Sequence, residues 1–344
     1  MGKIRMGVIG FGYWGPNLVR NIVMQSDKAS VVWIADQNPR RLVQAKKMYP
    51  RVRTTQTYQE LLVDRQVDAV VIVTPTLTHF EIARSALQQG KHVLIEKPMT
   101  TRRKEADALV SLAKKKRKIL MVDHTFVYTP AVREIALFIR SNKLGDIICV
   151  DTSRTNLGLF QRDTNVLYDL ATHDFSILDY LLEGTLPVSV SATGTYAHNL
   201  VDQEAVADVV AHYPHGLYVH CHVSWLSPIK VRLMQIVGTR TMLSYEDTQA
   251  TEKIKLYNLG ITLTPDQDDL NQRRIGYRLG SMVAPYIPVE EGLTNVVGDF
   301  ISSITSGKLP RTDGASGLRI VMIVEAATRS LRHGGAVISL DDPQ

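Results

Sequence analysis

Cysteine is nearly absent: Cys149 and Cys221 are the only two in 344 residues. Each stands in an apolar, strand-like run. That excludes a disulfide framework and marks both as reduced core residues of a cytosolic protein. No spacing of Cys, His and acidic residues matches a metal-ligand pattern, so no metal is expected. No apolar stretch reaches the roughly 20 residues that a membrane-spanning helix requires. The chain enters its first strand too soon to hold a signal peptide. Internal repeats and low-complexity segments are lacking too. Charge imbalance is slight: 40 Lys and Arg against 34 Asp and Glu leave a formal net charge of +6. This suits an anionic ligand. The densest basic run, Lys114-Lys115-Lys116-Arg117-Lys118, has no interleaved aromatics and belongs to no recognisable nucleic-acid module. It reads as a solvated helix end whose cations complement the helix dipole, and neither a nucleic-acid nor a membrane partner is expected.

What is present points to two domains, expected over residues 1–122 and 123–344. Apolar residues make up 44% of the chain, enough for a core in each. The first domain is organised around one stretch. An apolar run, Met6 to Ile9, reads as a buried strand and breaks into Gly10-Phe11-Gly12-Tyr13-Trp14-Gly15, after which a helical pattern begins (Leu18, Ile22, Val23). Gly10 allows the tight turn, Gly12 admits a pyrophosphate that any Cβ would meet, and Gly15 lets helix and strand pack closely. The helix N-terminus adds free N–H groups and a positive dipole end. A second apolar run, Val31 to Ala35, ends in Asp36. An acid about 20 positions past such glycines is placed to accept the adenosine ribose hydroxyls. Its charge favours NAD over NADP, a preference that Arg40 and Arg41 would soften.

Strands then alternate with helices. Val67 to Val73 ends at Thr74-Pro75, with His79 at the start of the next helix; Lys91 to Ile95 delivers Glu96-Lys97-Pro98. The alternation predicts an α/β, doubly wound parallel sheet. In such sheets ligands bind at the C-terminal strand ends, where Gly10, Asp36, Thr74, Pro75, Glu96 and Lys97 all fall. Lys97, held extended by Pro98, is either a partly desolvated lysine placed for proton transfer or an exposed one paired with Glu96. His79 either lines a nicotinamide pocket or is a polar residue near a helix start.

In the second domain a strand (Ile147 to Ser153) precedes a loop, and Asn165 opens a helix through Leu182. Asp169 and His173, four apart, share one face of it. They are either a base with its orienting acid or a surface pair. Strand patterns at Val188–Tyr196, Ala205–Tyr213, Leu217–Trp225, Val231–Val237 and Thr241–Tyr245 suggest an antiparallel meander. His212, His215, His220 and His222 invite a metal reading, but no nearby acid or Cys completes a site, so they read as satisfied sheet histidines. Asn258 to Ile287 reads as loop, with Arg273, Arg274, Tyr277 and Arg278 reaching a diphosphate or forming an interface arm. Helices are expected at Leu293–Ile304 and Gly314–Leu331.

The glycine turn, Asp36, Thr74-Pro75 with His79 and, above all, Gly90-Lys91-His92-Val93-Leu94-Ile95-Glu96-Lys97-Pro98 resemble the Gfo/Idh/MocA oxidoreductases. Arg154-Thr155-Asn156-Leu157-Gly158, Asn165 through Asp174, Ser224-Trp225-Leu226-Ser227-Pro228 and Tyr245-Glu246-Asp247 resemble its branch that oxidises the 3-hydroxyl of UDP-linked N-acetylhexosamines or their uronic acids. Tyr168, Thr172 and Glu246 stand where that branch has Trp, Pro and Asp. The resemblance implies NAD as cofactor, bound by Gly10, Phe11, Gly12, Tyr13, Trp14, Gly15, Asp36, Arg41, Thr74, Pro75, His79, Glu96 and Lys97. It implies catalysis by Lys97, Asp169 and His173, and substrate contacts from Lys97, Arg154, Asn156, Asn165 and His173. It also implies a second domain with a large, open, mostly antiparallel sheet whose free face joins a homodimer or homotetramer, and a place in cell-surface polysaccharide or lipid A synthesis. Keto-sugar reduction and a non-catalytic NAD-binding regulator remain the alternatives.

Overall fold

The computed structural model describes residues 2–158, 160, 163–197, 203–265 and 273–340. Its packing groups the chain into two units, each assembled from three stretches of sequence. One comprises Met1–Thr129, Phe175–Tyr180 and Glu290–Glu325; the other comprises Pro130–Asp174, Leu181–Val289 and Ala326–Gln344.

The first unit holds six strands: β1 (Ile4–Ile9), β2 (Ala29–Ala35), β3 (Arg53–Thr55), β4 (Ala69–Ile72), β5 (His92–Glu96) and β6 (Leu120–Asp123). They pair in parallel in the order β3-β2-β1-β4-β5-β6. The connecting helices are α1 (Gly15–Met24), α2 (Pro39–Met48), α3 (Tyr58–Val63), α4 (His79–Gln88) and α5 (Arg103–Lys116). Every residue of β4 is buried, as expected of a strand covered on both faces. Two hydrophobic clusters sandwich the sheet. Leu293, Val296, Val297 and Phe300 complete one beside Leu18 and Ile22; Val321 and Leu318 join the other. This is why a late segment, expected in the second domain, groups with the first. The order reverses between β1 and β4, so the glycine turn after β1 opens at the switch point.

The second unit begins with α6 (Pro130–Arg140) and β7 (Ile147–Leu157). A π-helical turn, Leu167–Ala171, then runs into α7 (Thr172–Leu181). The continuous α-helix expected from Asn165 therefore carries a widened first turn, in which the Thr172 hydroxyl donates to the Tyr168 carbonyl at 2.8 Å. There follow β8 (Ser189–Tyr196), β9 (Glu204–His212), β10 (Tyr218–Ser224), β11 (Leu226–Gly238), β12 (Met242–Glu246), β13 (Ile254–Tyr257), β14 (Gly260–Pro265), β15 (Arg273–Arg278), β16 (Met282–Val283) and β17 (Ile338–Ser339). The helices α8 (Gly292–Ser306) and α9 (Gly314–Arg332) match the two expected near the C-terminus.

The large sheet runs β16-β13-β12-β11-β7-β10-β9-β8-β17. It is mostly antiparallel but not a meander, because β7 lies between β10 and β11 and is parallel to β10. The chain crosses the end of β7 at one residue. Trp225 donates its backbone N–H to Ala205 and accepts from Gly158 N, at 2.8 and 3.0 Å. The stretch read as loop from Asn258 contains the β14–β15 hairpin. The side chains of Arg273 and Arg274 lie outside the described residues.

Candidate active site

In the first unit the glycines hold their expected places for distinct reasons. Gly10 has φ +99°, and a Cβ there would sit 2.2 Å from the Val73 carbonyl oxygen. A Cβ at Gly15 would lie 2.4 Å from the Gly10 oxygen. At Gly12 the nearest protein atom is Nη1 of Arg41, at an ordinary 3.5 Å. The protein's own packing does not demand glycine there, which leaves room for a ligand to approach the backbone. No side chain caps α1, whose N-terminus opens beside the glycine turn. Phe11 is buried and donates its N–H to Asp36 Oδ2 at 2.7 Å; Asn38 N donates to Oδ1 at 2.8 Å. Arg41 approaches the same carboxylate at 3.5 Å. Asp36 therefore clamps the turn to the end of β2, and Oδ1 keeps a lone pair for a ribose hydroxyl. Tyr13 and Trp14 are exposed and stack with ring centroids 6.5 Å apart. This cradle fits an NAD diphosphate and ribose.

Beyond β4, the Thr78 hydroxyl donates to the Pro75 carbonyl and lies 2.7 Å from the Thr74 hydroxyl. His79 opens α4, as expected. It is buried, and both ring nitrogens sit 2.9 Å from carbonyl oxygens, Nδ1 from Pro98 and Nε2 from Thr74. Its ring ties the turns after β4 and β5 together. Lys97 follows β5 directly, through a cis peptide to Pro98. Its N–H donates to Glu96 Oε2 at 3.2 Å. Burial and the neighbouring Asp123 charge hold the Glu96 carboxyl well above its usual range.

In the second unit the expected residues are more deeply engaged. Arg154 is 5% exposed and makes a bidentate pair with Asp174, at 3.0 and 2.8 Å. Asn165, also buried, donates to Glu204 at 3.0 Å and accepts from Tyr168 N at 3.3 Å. Both are the residues expected to contact substrate, and each is also bonded within the protein. Asn156 and His173 are half-buried. Asp169 Oδ2 accepts the Trp225 indole N–H at 2.9 Å. Trp225 is fully buried, and a Cβ on Gly158 would fall 2.6 Å from its ring. The close approach of Gly158 thus seats Trp225, which holds Asp169. Trp225 lies in the Ser224–Pro228 motif that carries the resemblance, but its hydrogen bond to Asp169 was not foreseen; a buried indole N–H needs such a partner.

His220 and His222 are satisfied within the sheet, as read, but the premise that no acid lies near them is overturned. Acidic partners do exist, supplied by neighbouring strands. Asp208 Oδ1 lies 3.0 Å from His220 Nε2 and 2.9 Å from His222 Nδ1, and Asp151 lies 3.5 Å from His220. The register sets Asp208 opposite His222 and Asp151 opposite His220. Among the described residues these contacts form no metal-binding group. No described helix is long and apolar enough to cross a membrane.

The chain is similar to known proteins over most of its length. The profile of the Gfo/Idh/MocA oxidoreductase family, NAD-binding Rossmann fold, matches residues 4–124, and that of the Gfo/Idh/MocA C-terminal domain matches residues 132–244. UDP-N-acetylglucosamine 3-dehydrogenase of Acidithiobacillus ferrooxidans is 28% identical over 92% of this chain and 94% of its own. Its solved structure aligns at a TM-score of 0.79 with 27% identity, covering 97% of this chain and 99% of that one. Myo-inositol 2-dehydrogenase of Thermotoga maritima is 24% identical over 97% of this chain and 98% of its own.

Proposed function

The chain belongs to the Gfo/Idh/MocA oxidoreductase family and binds NAD, and from that premise we propose that it oxidises a secondary alcohol, at C3, of a nucleotide-linked hexose such as UDP-N-acetylglucosamine or its uronic acid. NAD, when bound, supplies the hydride acceptor. His173 removes the hydroxyl proton. Lys97 hydrogen-bonds the same oxygen and stabilises the developing alkoxide electrostatically, which makes a metal unnecessary. Asp169, held by Trp225, orients the imidazole. Arg154 and Asn165 shape the substrate wall through their internal bonds, and Asn156 offers a substrate contact. The reverse reaction, reduction of a keto-sugar, uses the same groups.

The observation that carries this reading is the position of Lys97. It follows β5 in the row of parallel strand ends that also holds the glycine turn and Asp36. The relative of A. ferrooxidans, similar over nearly the whole chain, supports the nucleotide-sugar choice. A homodimer or homotetramer is part of the proposal. In its support, Tyr277, Leu279, Tyr286 and Val289 are more than three-quarters exposed along one segment, apolar side chains that a subunit interface would cover. We place the protein in the cytoplasm.

The test is absorbance of reduced nicotinamide with purified protein, NAD and a panel of UDP-hexoses, hexuronates and inositols. A rise confined to a UDP-N-acetylhexosamine or its acid supports the reading. A rise with myo-inositol alone overturns the substrate. A flat trace across the panel, with keto-sugars and a 2-oxoacid re-oxidant included, favours the regulatory alternative.

A further inference from the structure

Two acids at the strand ends have no role in the reaction above. Glu96 closes β5 and Asp123 closes β6, and the register sets them directly opposite one another. In-register neighbours on parallel strands project to the same face, with the strands roughly 5 Å apart. Donors already serve one oxygen of each: Lys97 N to Glu96 Oε2 at 3.2 Å, and the Thr125 hydroxyl to Asp123 Oδ1 at 2.6 Å. The other two, Glu96 Oε1 and Asp123 Oδ2, are buried with no such donor. One unfilled oxygen on each of two facing carboxyls is what a single shared proton resolves.

Charge leads to the same count. The groups that face the pair are Lys97, His124, Thr125 and the Trp14 indole. His124 is buried, and neither ring nitrogen has a hydrogen-bond partner. Burial, with Lys97 nearby, lowers it to about 3, so it stays neutral. Among the described residues, Lys97 is thus the one cation facing two carboxyls. Two buried carboxylates against one ammonium would leave a net charge in low dielectric, which is costly; one carboxylate and one carboxylic acid would not.

We propose that Glu96 and Asp123 share one proton beside Lys97, with Glu96 as the acid and Asp123 as the carboxylate, and that this pair positions the Lys97 ammonium for its reaction. The Thr125 hydroxyl donates to Asp123 Oδ1 at 2.6 Å and favours its charged form, which assigns the proton to Glu96. Burial raises both carboxyls, as a proton-sharing pair requires. The positioning role rests on the dehydrogenase reading; the shared proton does not.

The test is infrared difference spectroscopy of the full chain at neutral pH, reading the carbonyl stretch of a protonated carboxylic acid. Glu96→Gln should remove one such band. Asp123→Asn should remove it too, because Glu96 becomes the sole counter-charge to Lys97 and ionises. Lys97→Met should keep it. A wild-type spectrum without the band, an Asp123→Asn variant that retains it, or its loss in Lys97→Met each overturns the shared proton. For positioning, Glu96→Gln keeps a donor towards Asp123 whereas Glu96→Leu does not. Glu96→Leu should therefore lower kcat about tenfold more than Glu96→Gln, the worth of one hydrogen bond to a charged group. Equal kcat values in two folded variants would overturn the positioning role alone. A chain inactive on every substrate but carrying the band would refute the dehydrogenase reading and leave the pair standing.

Discussion

In the first unit, residues singled out for chemistry stand at the ends of parallel strands. In the second, two of those singled out, Arg154 and Asn165, are buried and bonded to their own neighbours. The difference is topological. A parallel sheet covered on both faces leaves its carboxyl ends as the one place for polar side chains, so a charged residue ending an apolar run is marked for function. A mixed sheet offers no such edge. There a charged residue in a strand serves the fold as readily as the ligand, and only its partner decides. Arg154 finds Asp174 twenty positions away, on a different element, and no local pattern announces it.

This contrast can be broken in graded steps. The largest effect is expected at Lys97. Lys97→Met should lower kcat by about 10²–10⁴, the range for losing a proton-handling group, while NAD binding followed by fluorescence persists. A variant of undiminished kcat would remove the first unit's strand ends from the chemistry. Next comes Arg154. Arg154→Met leaves Asp174 buried and unpaired, and should cost about 3–5 kcal/mol in denaturant unfolding. Adding Asp174→Leu should restore most of that. A raised KM with unchanged stability would instead return Arg154 to the substrate. Trp225→Phe keeps the buried ring and deletes the N–H to Asp169. It should lower kcat/KM about tenfold, for a lost bond worth roughly 1.5–3 kcal/mol, with little change in unfolding. An equal loss of stability would make Trp225 a packing residue only.

The smallest effect is in acid. His92 and His124 are lowered by burial to about 4 and about 3. The unfolded chain takes up their protons near the ordinary value of 6.5, and the folded chain resists. Their contribution to stability is complete above that value and is lost as pH falls from 6.5 towards 3. For His124 the loss is on the order of 1 kcal/mol per pH unit in that window. Glu96 and Asp123, raised by burial, act in the opposite sense, so the comparison is between wild type and His124→Gln. The variant's unfolding free energy should fall less steeply with acid, and parallel curves would contradict the assignment.

Much of the first unit was legible because its strands are short apolar runs bounded by turn residues. β3, Arg-Thr-Thr, has no apolar run to betray it. The pairing of Glu96 with Asp123 needed the register of β5 on β6, which no local spacing encodes. The second sheet was legible strand by strand but not in order. Its order depends on the chain crossing β7 at Trp225, a contact that Gly158 permits from far upstream. His79 was seen as polar at a helix start; its carbonyl partners on two separate turns were not visible.

The most direct test of the central claim is isotope transfer. UDP-N-acetylglucosamine or its uronic acid carrying deuterium at C3 would be incubated with the protein and NAD, and the reduced nicotinamide analysed by mass. Deuterium in the nicotinamide, absent when His173→Ala is used, is the predicted result. Turnover that leaves deuterium in the sugar would contradict hydride transfer from C3.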